Sequence, residues 1–161
     1  MGPRAIALCL AAVAASMLAG AFAFEHIGRM PPCVLCWWQR YAWFAALALA
    51  LAATAAPAGA PRTGLVALAG LAALTGAGIA GFHVGVEQRW WEGTAECGGI
   101  ASGLTAEERL KRILEAPVVR CTDIPWSMLG ISMAGWNGLI AAAAGLATLG
   151  AVLRDRAGVR R

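Results

Sequence analysis

"GLVALAGLAALTGAGIAGFHVGV", residues 64–86, contains no Asp, Glu, Lys or Arg. At ~1.5 Å per residue, a helix of this length crosses the ~30 Å hydrocarbon core of a bilayer. Three other stretches read the same way: Ala5 to Phe24, Trp37 to Ala56 (interrupted only by Gln39 and Arg40) and Trp126 to Leu153. Together the four take up most of the 161 residues, so no sizeable soluble domain is left. The chain is 60% hydrophobic and 14% charged, with a mean hydropathy of +0.66, whereas soluble domains carry about 25% charged residues. The pattern predicts an all-α membrane protein, a four-transmembrane-helix bundle forming a single domain. Its spans are 5–24, 37–56, 64–86 and 126–153. An outer loop 25–36, a short loop 57–63, a long outer loop 87–125 and a tail 154–161 connect and end them.

With four spans both termini lie on one side. Arg4, Arg62 and the tail residues Arg154, Arg156, Arg160 and Arg161 mark that side as cytoplasmic, since short segments flanking spans carry the orienting charge. Arg109, Lys111, Arg112 and Arg120 fall in the long loop, which counts for little. The net charge of +4 forms no basic, aromatic-interleaved face, so a nucleic-acid role is set aside. Intramembrane charges of the kind that mark ion pathways are scarce, which argues against a transporter. Arg4, the apolar run and Ala21-Phe22-Ala23 imitate a cleavable signal. The run is long for a signal core and is read as a retained span.

Aromatic residues crowd the outer ends of the spans: Phe22, Phe24, Trp37, Trp38, Tyr41, Trp43, Phe44, Phe82, Trp90, Trp91 and Trp126. An ordinary interfacial belt would occupy both boundaries, so the asymmetry points to a site. Gly70, Gly76, Gly78, Gly81, Gly85 and Gly145 are read as flat contact surfaces that let helices approach closely.

Of the five cysteines, Cys9 lies within the first span and is read as a small packing residue. The other four fall two in each outer loop, on the side where disulfides persist. "PPCVLCWWQR", residues 31–40, places Cys33 and Cys36 at the mouth of the second span. Haem attachment needs His after C-x-x-C, and Trp37 stands there. A zinc site suits two close-spaced ligand pairs better than Cys97 and Cys121, 24 residues apart. Structural stapling remains open for the long loop. It explains C-x-x-C poorly, because so short a bridge closes little loop entropy. Pro31 and Pro32 suit entry into a helix, which puts both thiols in or near its first turn, where unpaired N–H groups favour a thiolate. Arg40 follows Cys36 by four residues, on the same face. In the long loop, "LTAEERLKRILEAP" predicts a short amphipathic helix opened by Thr105 and Glu108 in capping-box spacing.

Taken together, "PPCVLCWWQR", the "FHVGVEQRWW" exit of the third span, the second cysteine pair and "CTDIPWSMLGISMAGWN" make the chain similar to the DsbB family of bacterial membrane disulfide oxidoreductases. The resemblance covers nearly the whole chain. It implies an inner-membrane enzyme with periplasmic cysteine loops, and electrons relayed from a DsbA-like thioredoxin-fold oxidase to ubiquinone or menaquinone. It assigns Cys33, Cys36, Cys97 and Cys121 as redox residues, with Cys97 and Cys121 forming one pair. Arg40 becomes a quinone contact. Some members carry a histidine near the end of span three. Gln88 stands at that position here, with His83 a little over one turn earlier, and both are candidate quinone contacts. The segment between Cys97 and Cys121 is shorter than in well-known members. Trp136 and Asn137 match the family motif and are read as packing residues. The alternative from another class is a disulfide-stapled membrane scaffold without turnover.

Overall fold

A computed structural model describes residues 2–98, 105, 107 and 119–159. Helix α1 runs Pro3–His26, α2 Val34–Ala55, α3 Ala60–Glu87 and α4 Met133–Val159. All four are long and apolar enough to cross a membrane. The shortest has 22 residues, about 33 Å of rise. Pro3 and Pro61 stand in the first turns of α1 and α3, where no backbone N–H is needed. The helix α2 stops at Ala55, and the extended Ala56 precedes Pro57, whose ring disfavours helix in the residue before it.

The helix α3 is central, packing most extensively on α4 and α2, while α1 leans mainly on α2. Small side chains dominate the core: Ala14, Ala46, Ala73 and Ala141 surround Leu18 and the buried ring of Trp43. The crossing of α3 and α4 is set by Gly70 and Gly145. A Cβ on Gly145 would lie 2.9 Å from the Gly70 carbonyl oxygen, which only movement of a helix could relieve. Gly76 meets Ala42 of α2, and Gly85 receives the Trp91 ring. Gly78 and Gly81 correct the sequence reading, because nothing lies within 4 Å of where their Cβ would be. They sit on the outward strip of α3. Cys9 is likewise exposed rather than packed.

The fourth helix begins seven residues later than Trp126. Its predicted first turns instead form a β-hairpin, β1 Ser127–Met128 paired with β2 Ile131–Ser132. Leu129 and Gly130 make its tip with φ of 54° and 76°, the positive pair a two-residue hairpin turn requires. Apolar composition alone does not separate this from a helix start. The Trp136 indole donates to the Met128 carbonyl, and the Trp126 ring packs 5.4 Å from Phe24, fastening the hairpin to α4 and α1. The amphipathic helix expected at 105–116 falls largely outside the described residues.

Candidate functional site

Cys33 is the N-cap of α2, with its sulfur accepting the Cys36 amide at 3.3 Å. Pro31 and Pro32 thus precede the helix and do not enter its first turn. Cys36 is half-buried in that turn, its sulfur 2.8 Å from Cys33, and both thiols are free. The hydrogen bond shared with Cys36 and then burial push the Cys33 thiol well above the ordinary thiol range, outweighing the opposing effect of the helix amide.

Cys97 lies in a 3₁₀ turn, Ala95–Gly98, and is disulfide-bonded to Cys121 with their Cα atoms 5.1 Å apart. The Cys121 amide donates to the Cys97 carbonyl at 3.2 Å. Both are buried, Cys121 completely. The fold brings the two pairs into one apolar cluster: Cys33, Leu35, Val86, Cys97 and Cys121, flanked by Cys36. Pairs more than 60 residues apart in sequence share a wall.

His83 of α3 stands at their junction. Its Nε2 is 3.2 Å from the Cys121 carbonyl oxygen and 3.6 Å from the Cys33 sulfur, and its Nδ1 is 2.9 Å from Gln39 Nε2. Glu87, one turn on, approaches Nε2 at 3.9 Å and accepts from the Ser132 hydroxyl, tying the hairpin to α3. Cys33, Cys36 and His83 offer three donor atoms within 4.8 Å of one another, a soft set of the type that suits Zn²⁺ or Cu(I). A carbonyl can only accept, however, so Nε2 carries a proton here and its lone pair is not open to a metal.

Arg40 is buried beneath the C-terminal end of α1. It pairs with Glu25, donates to the Ala21 carbonyl at 3.1 Å, and lies 4.8 Å from both the Phe22 and Trp37 ring centres. Tyr41 and Phe44 expose aromatic surface beside it on α2. Gln88 is exposed at the C-cap of α3.

Two residues passed over in the sequence complete the interior. Asn137 of α4, read as packing, accepts from the Trp43 indole at 2.7 Å and donates to Gln39 Oε1 at 2.6 Å. It is a polar bridge and not a filler. The available signal was a lone amide in each of two largely apolar spans, since lipid makes unpartnered polar groups expensive. Glu87 could have been noticed in the same way, as a carboxylate at the very end of an apolar run.

A four-helix membrane bundle with a dithiol and a disulfide meeting at one mouth is a membrane thiol–disulfide protein. The family model "Disulfide bond formation protein DsbB" matches residues 3–151. Proteins named disulfide bond formation protein B are similar to it. The one from Verminephrobacter eiseniae is 30% identical over 167 residues, covering 99% of this chain and 91% of that protein. The one from Herminiimonas arsenicoxydans is 33% identical, covering 83% and 84%. The one from Methylococcus capsulatus is 34% identical, covering 76% and 77%. No solved structure matches the chain at a significant level. The chain belongs to the DsbB family and is a multi-pass membrane protein of disulfide bond formation.

Proposed function

We propose that this protein reoxidises a DsbA-like dithiol oxidase at the outer face and delivers the electrons to a membrane quinone, ubiquinone or menaquinone. Both termini then lie in the cytoplasm, and both cysteine loops face the periplasm. The observation that carries the reading is the meeting of Cys33–Cys36 and Cys97–Cys121 in one buried cluster at the mouth of the bundle.

A thiolate of the reduced partner attacks Cys97, the less buried member of its disulfide, and releases Cys121 as thiolate. The partner's second thiolate then attacks its own mixed-disulfide sulfur, which frees the oxidised partner and leaves Cys97 as thiolate. Cys121 attacks Cys33 of an oxidised Cys33–Cys36 pair, forming Cys33–Cys121 and expelling Cys36 as thiolate. Cys97 then attacks Cys121, restoring Cys97–Cys121 and releasing Cys33. Two electrons have moved inward. The pairs end as they stand in this structure, Cys97 and Cys121 bonded, Cys33 and Cys36 free.

The residues around Arg40 fit a quinone. A permanent cation between two aromatic planes, one helical turn from Cys36, offers donors and a flat apolar wall at the lipid boundary. Arg40 is assigned as the leading contact, with exposed Gln88 as a second polar one. His83 has both ring nitrogens engaged by protein and is assigned to the junction of the cysteine pairs. A bound quinone supplies the two-electron acceptor for the Cys33–Cys36 dithiol.

The test is quinone reduction by detergent-purified protein supplied with a reduced DsbA-like partner, followed optically beside Cys36→Ser and Cys97→Ser. Turnover in the parent and its loss in both variants is the expected result. A folded parent that reduces no quinone with any partner would leave a stapled scaffold as the reading.

A further inference from the structure

The polar groups inside the bundle form a directional line. It starts at Trp43, whose indole Nε1–H can only donate. Asn137 therefore presents Oδ1 to Trp43 and Nδ2 to Gln39. Gln39 accepts with Oε1, which leaves Nε2 to face His83, an orientation reinforced by its bond to the Leu35 carbonyl at 3.2 Å. His83 Nδ1 then accepts, and the ring proton sits on Nε2. The far end agrees independently, because the Cys121 carbonyl can only accept. A donor-only group at one end and an acceptor-only group at the other leave one arrangement for everything between. Glu87, whose Oε1 is 3.9 Å from Nε2, lies on that side of the ring and favours the same proton position.

Nothing in thiol exchange explains why two helices should commit an indole and two amides to one imidazole on a third. The geometry supplies a reason. Nε2–H points between the Cys121 carbonyl and the Cys33 sulfur, 3.6 Å away in an almost fully buried setting. A thiolate expelled there has little water to solvate it, and an uncompensated buried charge is expensive.

We infer that Trp43, Asn137 and Gln39 are positioning residues that hold His83 as its neutral Nε2–H tautomer, so that His83 donates a hydrogen bond to Cys33 when exchange between the pairs expels it as thiolate. The inference rests on the electron relay proposed above. The step balances: the Cys97 thiolate forms a bond to the Cys121 sulfur, the Cys33–Cys121 bond breaks, and the electron pair leaves on Cys33. The proton stays on His83. With the tautomer reversed, a lone pair would face the departing thiolate and repel it.

Two measurements test this, both without partner or quinone. The chain has only two histidines, His26 and His83, so ¹⁵N-histidine NMR of the reduced protein in micelles needs one assignment variant, His26→Gln. The parent is expected to show His83 as Nε2–H, and Trp43→Phe and Asn137→Leu are expected to populate the Nδ1–H form. The second measurement titrates Cys33 by thiolate absorbance in a Cys9→Ser/Cys36→Ser background with Cys97–Cys121 intact. Either anchor variant should raise the midpoint by about one pH unit, a tenfold loss of thiolate at a given pH. A merely structural role for Asn137 would leave that midpoint unmoved. An Nδ1–H ring in the parent, or an unmoved Cys33 midpoint in both folded anchor variants, overturns the inference. Loss of turnover alone bears on the function proposed above and not on this relay.

Discussion

Replacing Glu25 by Gln removes the charge partner of Arg40 while keeping the side chain's shape. Two unit charges ~4 Å apart attract by about 4 kcal/mol at an effective dielectric of ~20. The guanidinium is nearly buried, with 7% of its side chain exposed, but 21% of the Glu25 side chain is exposed, so water screens one partner. A loss of about 2 kcal/mol remains. The Ala21 carbonyl and the two flanking rings still hold the guanidinium in place, so it does not swing out to lipid headgroups and recover its hydration. For a chain of this size, about 2 kcal/mol lowers the melting temperature by about 4–8 °C. Melting in detergent followed by tryptophan fluorescence reads this directly. Comparison with Arg40→Met and with the double variant isolates the coupling. The double variant should be more stable than the sum of the single losses predicts, because it leaves no unpaired buried charge. A melting point within 1 °C of the parent for Glu25→Gln, or strict additivity in the cycle, would refute the view that Arg40 depends on Glu25.

Maleimide should label Cys36 before Cys33 in the reduced protein, as resolved by mass spectrometry of timed samples. Cys36 is half-buried, while Cys33 is 5% exposed with its thiol pushed up. That upward shift also makes the reduced protein lose stability as pH rises. A thiol harder to ionise in the folded state favours folding below the unfolded value near pH 9, and the advantage fades above it. Chemical denaturation at pH 7.5 and 10 should show a larger drop for the parent than for Cys33→Ser. Gly145→Ala should cost about 1–3 kcal/mol, because its Cβ meets the Gly70 carbonyl as well as Leu74. Gly81→Ala, with open space around it, should be neutral or slightly stabilising in the same melting assay.

The number and rough placement of the helices were legible in composition, because a bilayer demands long uninterrupted apolar runs with their backbone bonds satisfied internally. The place of Cys33 and Cys36 at the start of α2 was equally legible, since the prolines before them and the apolar run after them leave little choice of helix start. The hairpin at Ser127–Ser132 was not. Its residues are as apolar as a helix start, and only the Leu129–Gly130 turn and the bond from Ser132 to Glu87 decide the matter. Gly78 and Gly81 show the same limit from the other side: a small residue permits close approach, but which strip of α3 faces a neighbour depends on how α2 and α4 are placed.

A membrane bundle carrying a C-x-x-C at one mouth follows from local composition and spacing alone. That Cys121 and Cys33 meet across His83, with Trp43, Asn137 and Gln39 lined up behind it, follows from how the helices pack. These residues come from three helices and a loop, and no periodicity along one segment encodes contacts among four. In the apolar interior an unpartnered amide or imidazole is costly, so the packing that brings the helices together also selects the partners. That selection joins two separate pairs of thiols into one site.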